Sequence, residues 1–194
     1  MSVEAEAAVR IDGRCFTYVF PCAWEDFCKI GFSRDPLVRI GALHPRWFAF
    51  FDLQAGMLVE TETIRDARDL ELQLRRPLKA HRAPVPLTIR TAAGGQTEWF
   101  RGVAEPLARH VATLADVGYR VLPLRGWLRA AALSRIDRLH DWADAQLSVE
   151  ELEGLVGLTP AQQSLRDVLD GYRALEIELA DRLPPAIARW YGVA

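Results

Sequence analysis

Over residues 15–20 the chain alternates: Phe16, Tyr18 and Phe20 fall on one side of an extended backbone, Thr17 and Val19 on the other. This predicts a strand, ended by Pro21. Residues 27–32 predict a second, and the turn Ala23-Trp24-Glu25-Asp26 between them is short enough to imply an antiparallel hairpin. Ser33-Arg34-Asp35-Pro36 predicts a helix start, with Ser33 or Asp35 as cap and Pro36 at the first helical position. Leu37, Ile40 and Leu43 would form its apolar stripe until His44-Pro45 stops it. The aromatic-rich residues 46–53 (Trp47, Phe48, Phe50, Phe51) predict a third strand. Residues 61–79 place Ile64, Ala67, Leu70, Leu74 and Leu78 at helical spacing, with Glu71 at the edge of the stripe.

Residues 82–97 contain Pro84, Pro86, Gly94 and Gly95 and read as a loop. Glu98-Trp99-Phe100 follows, Trp99 and Phe100 reading as core residues, then a helix over about 102–117 and a short strand or extended connection over 118–122. From Trp127 onward the pattern is helical, broken near Ser148, Gly157-Leu158-Thr159-Pro160 and Pro184-Pro185. Residues 148–169 have the outline of a helix-turn-helix, but Asp167 and Asp170 on its second helix would repel phosphate. A helical bundle or dimerisation arm with Leu175, Leu179 and Leu183 on its apolar stripe is the favoured reading of this half. The expected class is therefore α+β: a small antiparallel three-stranded sheet flanked by helices within residues 1–125, then an all-α C-terminal domain over 126–194.

Half of the residues are hydrophobic and 26% are charged, the balance of an ordinary globular chain. No apolar run approaches the roughly 18 residues needed to cross a bilayer, so no membrane partner is expected. The acidic start, Met1-Ser2-Val3-Glu4-Ala5-Glu6, has no apolar core of a secretory signal, and a cytoplasmic location is expected. Cys15, Cys22 and Cys28 have no second pair at zinc spacing and read as small buried residues of a reducing compartment. The net charge of −2 carries no nucleic-acid signal, but the halves differ. Residues 1–129 hold 18 Lys/Arg against 15 Asp/Glu, whereas 130–194 hold 6 against 11. A basic stretch runs through Arg65, Arg68, Arg75, Arg76, Lys79, His81 and Arg82, interleaved with Asp66, Asp69 and Glu71. It would suit a phosphate backbone or, more commonly, a solvated helix face.

Four positions stand out by residue type: Tyr18 in the first strand, Lys29 in the second, Arg39 on the first helix and Glu71 on the second. Period two puts Phe27, Lys29 and Gly31 on one face of their strand, so Lys29 is a charge among apolar groups. Gly31 beside it leaves room for a close approach by a backbone or ligand.

Here the chain resembles the GIY-YIG nuclease superfamily, in its branch typified by a phage T5 open reading frame. Phe16-Thr17-Tyr18 stands where that family carries Gly-Ile-Tyr, and Lys29-Ile30-Gly31 where it carries Tyr-Ile-Gly or, in this branch, Lys-Ile-Gly. Arg39 lies eight residues beyond Gly31, Leu70-Glu71 matches a helical glutamate, and Glu98-Trp99-Phe100 matches the closing motif. The likeness covers about residues 15–101. The family's first glycine is Phe16 here, its second tyrosine is absent, and Leu43 stands one turn past Arg39, where several relatives carry histidine or tyrosine.

The resemblance implies a metal-dependent DNA endonuclease of phage or mobile-element type, a phosphodiester hydrolase using Mg²⁺ or Mn²⁺. Glu71 would hold the metal and Arg39 the phosphate. Tyr18 or Lys29 would serve as base, each needing a lowered pKa. Arg34, Arg39, Arg75 and Lys79 would contact the nucleic-acid backbone, and the helical half would support a homodimer. The alternatives are a nucleic-acid-binding relative without turnover and a protein-interaction module working through its C-terminal half. In those readings Tyr18 is a packing residue, Arg39 and Glu71 form an interhelical bridge, and Lys29 guards an edge strand.

Overall fold

The computed structural model describes residues 11–193; the acidic start at residues 1–6 lies outside them. The fold is α+β. Among the described residues, five antiparallel strands form one sheet in the order β4-β2-β1-β3-β5: β1 (Cys15–Pro21), β2 (Phe27–Ser33), β3 (Met57–Thr61), β4 (Trp99–Arg101) and β5 (Arg120–Pro123). The helices are α1 (Pro36–Leu43), α2 (Trp47–Phe50), α3 (Ile64–Arg75), α4 (Ala104–Thr113), α5 (Leu124–Leu133), α6 (Leu139–Asp144), α7 (Val149–Leu152), α8 (Pro160–Ala174) and α9 (Pro185–Tyr191). The expected three-stranded sheet is thus corrected to five, because β4 and β5 extend its two edges.

The hairpin forms where the alternation places it, with Tyr18 opposite Gly31 and Phe20 opposite Lys29. Asp35 caps α1 by accepting from the Val38 amide at 3.1 Å, and Pro36 opens the helix. Thr63 and Asp66 close a capping box at the start of α3.

Residues 46–53 are not a strand. Trp47 and Phe51 are buried at a spacing of four, and the Phe51 amide bonds to the Trp47 carbonyl at 2.9 Å, so this segment buries its rings with helical periodicity. The Asp52 side chain then accepts from the Gln54 and Ala55 amides, turning the chain into β3.

Each face of the sheet carries its own apolar cluster. On one, Val19, Cys28, Ile30, Val59 and Phe100 meet Leu70 and Leu74 of α3 and Leu107 and Val111 of α4. On the other, Phe16, Tyr18, Phe20, Phe27 and Trp99 join Ile40, Trp47 and Phe51, and the cluster continues through Trp127 and Leu128 to Leu165, Leu169, Ile187 and Tyr191. Contacts cross residue 125 directly. The Phe16 and Trp127 rings meet edge-on at 5.0 Å, Arg135 pairs with Asp35 at 2.6 Å, and Arg46 pairs with Asp167 at 2.9 Å.

In the C-terminal half, α7 is a single turn, and α8 uses its inner face against α2, where a Cβ on Gly171 would stand 3.1 Å from the Trp47 ring. Leu175, Leu179 and Leu183 are buried, but beyond the end of α8, in irregular chain. The three cysteines are free thiols, and burial pushes those of Cys22 and Cys28 up to about 12, which makes them poor nucleophiles. No helix among the described residues is long and apolar enough to cross a membrane.

Candidate functional site

Tyr18, Lys29 and Arg39 come together on the α1 side of the sheet. Tyr18 extends from the central strand and is only 1% exposed. Its ring stacks on Phe20 at 4.0 Å, and its oxygen accepts from Arg39 Nε at 3.0 Å. It fills the space beside Gly31: a Cβ there would lie 2.4 Å from the phenol oxygen and 2.6 Å from Cζ. The room expected at Gly31 is therefore occupied by the tyrosine itself.

Lys29 is fully buried, between Phe20 and Trp99 on the neighbouring strands. β2 is an inner strand at this point, since β4 pairs with Phe27, Cys28 and Lys29, so guarding an edge does not explain the lysine. Its Nζ donates to Glu98 Oε2 at 2.7 Å and to the Gly95 carbonyl at 3.0 Å, and lies 5.5 Å from the Trp99 ring centre.

Glu71 reaches the cluster from the other face. Helix α3 packs opposite Tyr18, with Leu70 and Leu74 turned into the second apolar cluster and Glu71 itself 2% exposed. Its Oε1 accepts from Arg75 Nη1 at 2.5 Å, one helical turn on. The same Arg75 nitrogen stands 3.9 Å from Glu98 Oε1. Glu71, Arg75, Glu98 and Lys29 thus form a continuous ionic chain around the rim of the sheet. The partner of Glu71 is Arg75, and that of Arg39 is Tyr18, so the expected Arg39–Glu71 bridge is not the contact formed.

Of the expected nucleic-acid contacts, Arg39 and Arg75 belong to this cluster. Arg34 and Lys79 are exposed, before α1 and on the 3-10 turn after α3, with no ion pair or hydrogen bond joining them to it among the described residues. Glu98 and Arg75 are its structural organisers. Glu98 is signalled only by its place in the Glu-Trp-Phe motif; Arg75 is signalled by its spacing of four from Glu71.

Burial dominates the proton chemistry. It pushes the Tyr18 phenol up to about 12; the charge and hydrogen bond of Arg39 oppose it, while Glu98 and Glu71 add to it. Tyr18 is a neutral hydroxyl in this arrangement, suited to orienting a group and not to removing a proton. Burial holds Lys29 below its ordinary value, against the raising influence of Glu98. Burial likewise raises Glu71, against the pull of Arg75 and with the help of Glu98. Of the two expected bases, Lys29 is shifted toward that role and Tyr18 away from it.

The tyrosine shift has a measurable consequence. A folded pKa above the unfolded 10.0 contributes stability that is whole below that pH and is lost as pH rises through about 12. By about pH 11.5 the wild type should have lost about 2 kcal/mol of unfolding free energy that Tyr18→Phe retains, at about 1.4 kcal/mol per unit. Urea titrations of both proteins across this range decide it; a constant difference between them would contradict the buried-phenol account.

Among the described residues no group of three or more His, Cys, Asp or Glu side chains is placed to hold a metal. Glu71 and Glu98 both face Arg75, however, and two carboxylates about one cation form a donor set compatible with a hydrated Mg²⁺ or Mn²⁺. A comparison with known proteins returned no match: no family, no curated relative and no solved structure.

Proposed function

We propose that the chain is a metal-dependent phosphodiesterase acting on DNA, with its centre at Tyr18, Lys29, Arg39 and Glu71. The observation that carries this reading is a linked array of three cations, two carboxylates and a phenol: Tyr18, Arg39, Lys29 and Glu98 meet on the α1 side, and Glu71, on the helix packed against the opposite face, joins them through Arg75. Such a set matches what hydrolysis of a phosphodiester requires: positive charge about a pentacovalent phosphate and a hard oxygen ligand for a divalent ion. Glu71, with Glu98 beside it, would hold the ion, which would supply an activated water and a phosphate contact. Arg39 presents a planar fork to the phosphate. Tyr18 orients that fork, and Lys29 adds charge or accepts the proton from water.

The resemblance to GIY-YIG nucleases over residues 15–101 supports the same reading, including its phage or mobile-element character. A binding protein without turnover is the second reading. It is favoured by the high pKa of Tyr18 and by the ion pairs that occupy Glu71 and Lys29.

The test is a cleavage assay on plasmid and single-stranded DNA with Mg²⁺ or Mn²⁺ and with chelator. Metal-dependent nicking supports the enzyme, whereas binding without nicking assigns the second reading. Within it, Arg39→Lys keeps the charge but loses the fork, and should lower kcat by about 10²-fold or more with little change in Tm. A large fall in Tm with unchanged kcat would make Arg39 a structural strut for Tyr18.

A further inference from the structure

The three cations of the site are already engaged by one segment of the chain. Arg39 Nη1 donates to the Ala93 carbonyl, Lys29 Nζ to the Gly95 carbonyl at 3.0 Å, and Arg75 Nη2 to the Thr97 carbonyl at 3.2 Å. Every second residue of 93–97 therefore sets a carbonyl oxygen on a group that would grip phosphate oxygen. The segment lies against the site closely enough that a Cβ on Gly95 would stand 2.5 Å from Lys29 Nζ, 2.5 Å from Glu98 Oε2 and 3.1 Å from Arg39 Nη2. Gly94 and Gly95 both take positive φ, 66° and 70°, and this doublet lets the chain turn down onto the charges. The segment's other anchors lie at its leading end, where the Ala93 and Gly94 amides donate to the Arg90 and Thr91 carbonyls at 3.0 and 3.3 Å and Ala93 packs against the first apolar cluster. Residues 94–98 belong to no helix or strand, and Gly94, Gln96 and Thr97 are exposed.

We infer that residues 93–97 are an internal competitor for the anion site: their carbonyl oxygens stand where phosphate oxygens bind, and the strap must lift before a nucleic-acid backbone can enter. The inference rests on the proposed reading of this cluster as a phosphate site. It accounts for the coexistence of a cationic centre with near-complete burial of Tyr18, Lys29 and Glu71. Carbonyl dipoles satisfy buried cations in the absence of ligand, and an anion regains those donors only by displacing them. Affinity is then reduced by the fraction of time the strap is down.

Gly95→Ala tests this without replacing a proposed catalytic side chain: its methyl group would press on the ends of Lys29, Glu98 and Arg39, and the φ of 70° at this position disfavours any Cβ, so the closed arrangement is strained. Ala93→Gly is a milder companion that loosens the strap by backbone entropy and by removing a methyl group packed against the first apolar cluster, and it leaves the carbonyl in place. The probe is a short labelled DNA duplex at low salt, with hydrogen exchange of residues 91–98 followed in parallel. Duplex binding should accelerate exchange in the wild type. Gly95→Ala should exchange quickly without ligand and bind about tenfold more tightly, with Ala93→Gly between the two.

Unchanged affinity in both variants despite faster exchange would overturn the competition, as would a strap that stays protected with duplex bound. If no protein binds duplex, the nucleic-acid reading fails, and inorganic polyphosphate becomes the probe. Tighter polyphosphate binding by the variants would sustain the competing strap on an anion site of another kind; no binding, or equal binding, would reject it.

Discussion

Glu71→Gln is expected to reduce metal-dependent DNA cleavage by about 10³-fold or more while leaving the fold and the duplex affinity measured without metal essentially intact. Glutamine has the shape of glutamate and can still accept from Arg75, so the contact at 2.5 Å has a neutral equivalent. Burial already shifts Glu71 toward its protonated form. A neutral amide at this position therefore removes a desolvation cost and leaves no orphaned charge, because Arg75 keeps the Thr97 carbonyl and Glu98 nearby. What glutamine cannot do is bind a divalent cation with comparable strength. A second readout follows from linkage: the wild-type Tm should rise with Mg²⁺ or Mn²⁺, as for any ligand that binds only the folded state, and the variant's should not. Wild-type cleavage by Glu71→Gln, with the same metal-dependent Tm shift, would leave Glu71 as no more than the partner of Arg75.

The opposing charges of the cluster constrain how such an ion could enter. Arg75 sits between Glu71 and Glu98, and Glu98 also holds Lys29. An incoming divalent cation would compete with Arg75 for the same carboxylates, and the freed guanidinium would become available to a phosphate. Metal and anion binding would then reinforce each other, with the strap at residues 93–97 opposing both. Metal affinity measured with and without duplex would therefore report one coupling free energy from either side.

Much of this arrangement is legible in the chain where local rules and tertiary demands agree. The hairpin follows from alternation, α1 from Asp35-Pro36, and α3 from the run Ile64, Ala67, Leu70, Leu74. Residues 46–53 mislead because aromatic residues favour strands on average, whereas here the deciding signal is the spacing of four between Trp47 and Phe51. β5 overlaps residues 118–122, read as a short strand or extended connection, whereas β4, of three residues, has no signature of its own and becomes a strand only because β2 offers an open edge. In the site, Lys29 announces itself as a charge on an apolar face, and Glu98, 69 residues away, is signalled by the Glu-Trp-Phe motif as an organiser of Arg39 or Lys29; the fold decides for Lys29. The strap is less visible still. Its working groups are backbone carbonyls, which every residue carries, and the single hint is the Gly94-Gly95 doublet just ahead of Glu98.

Gly31→Ala is expected to destabilise the protein by about 2–3 kcal/mol, the cost of overpacking a closed site. The new methyl group would stand 2.4 Å from the Tyr18 oxygen, 2.6 Å from Cζ and 3.0 Å from Cε2, inside any contact distance the ring could tolerate. Tyr18 has little freedom to yield. Arg39 holds its hydroxyl at 3.0 Å, Phe20 stacks on its ring at 4.0 Å, and the side chain is almost wholly enclosed. The partial relief available lies in β2, which β4 flanks only as far as Lys29, leaving the strand at Gly31 freer to bow outward. The decisive measurement is a double-mutant cycle with Tyr18→Ala, using urea unfolding of all four proteins. With the ring removed, Gly31→Ala should cost less than about 1 kcal/mol, because alanine is no worse than glycine in a strand interior. A coupling of about 1.5 kcal/mol or more would show that the glycine of Lys-Ile-Gly exists to seat the tyrosine under Arg39. An equal cost in both backgrounds would instead place the demand for glycine in the β2 backbone, and the packing of Tyr18 would no longer explain it.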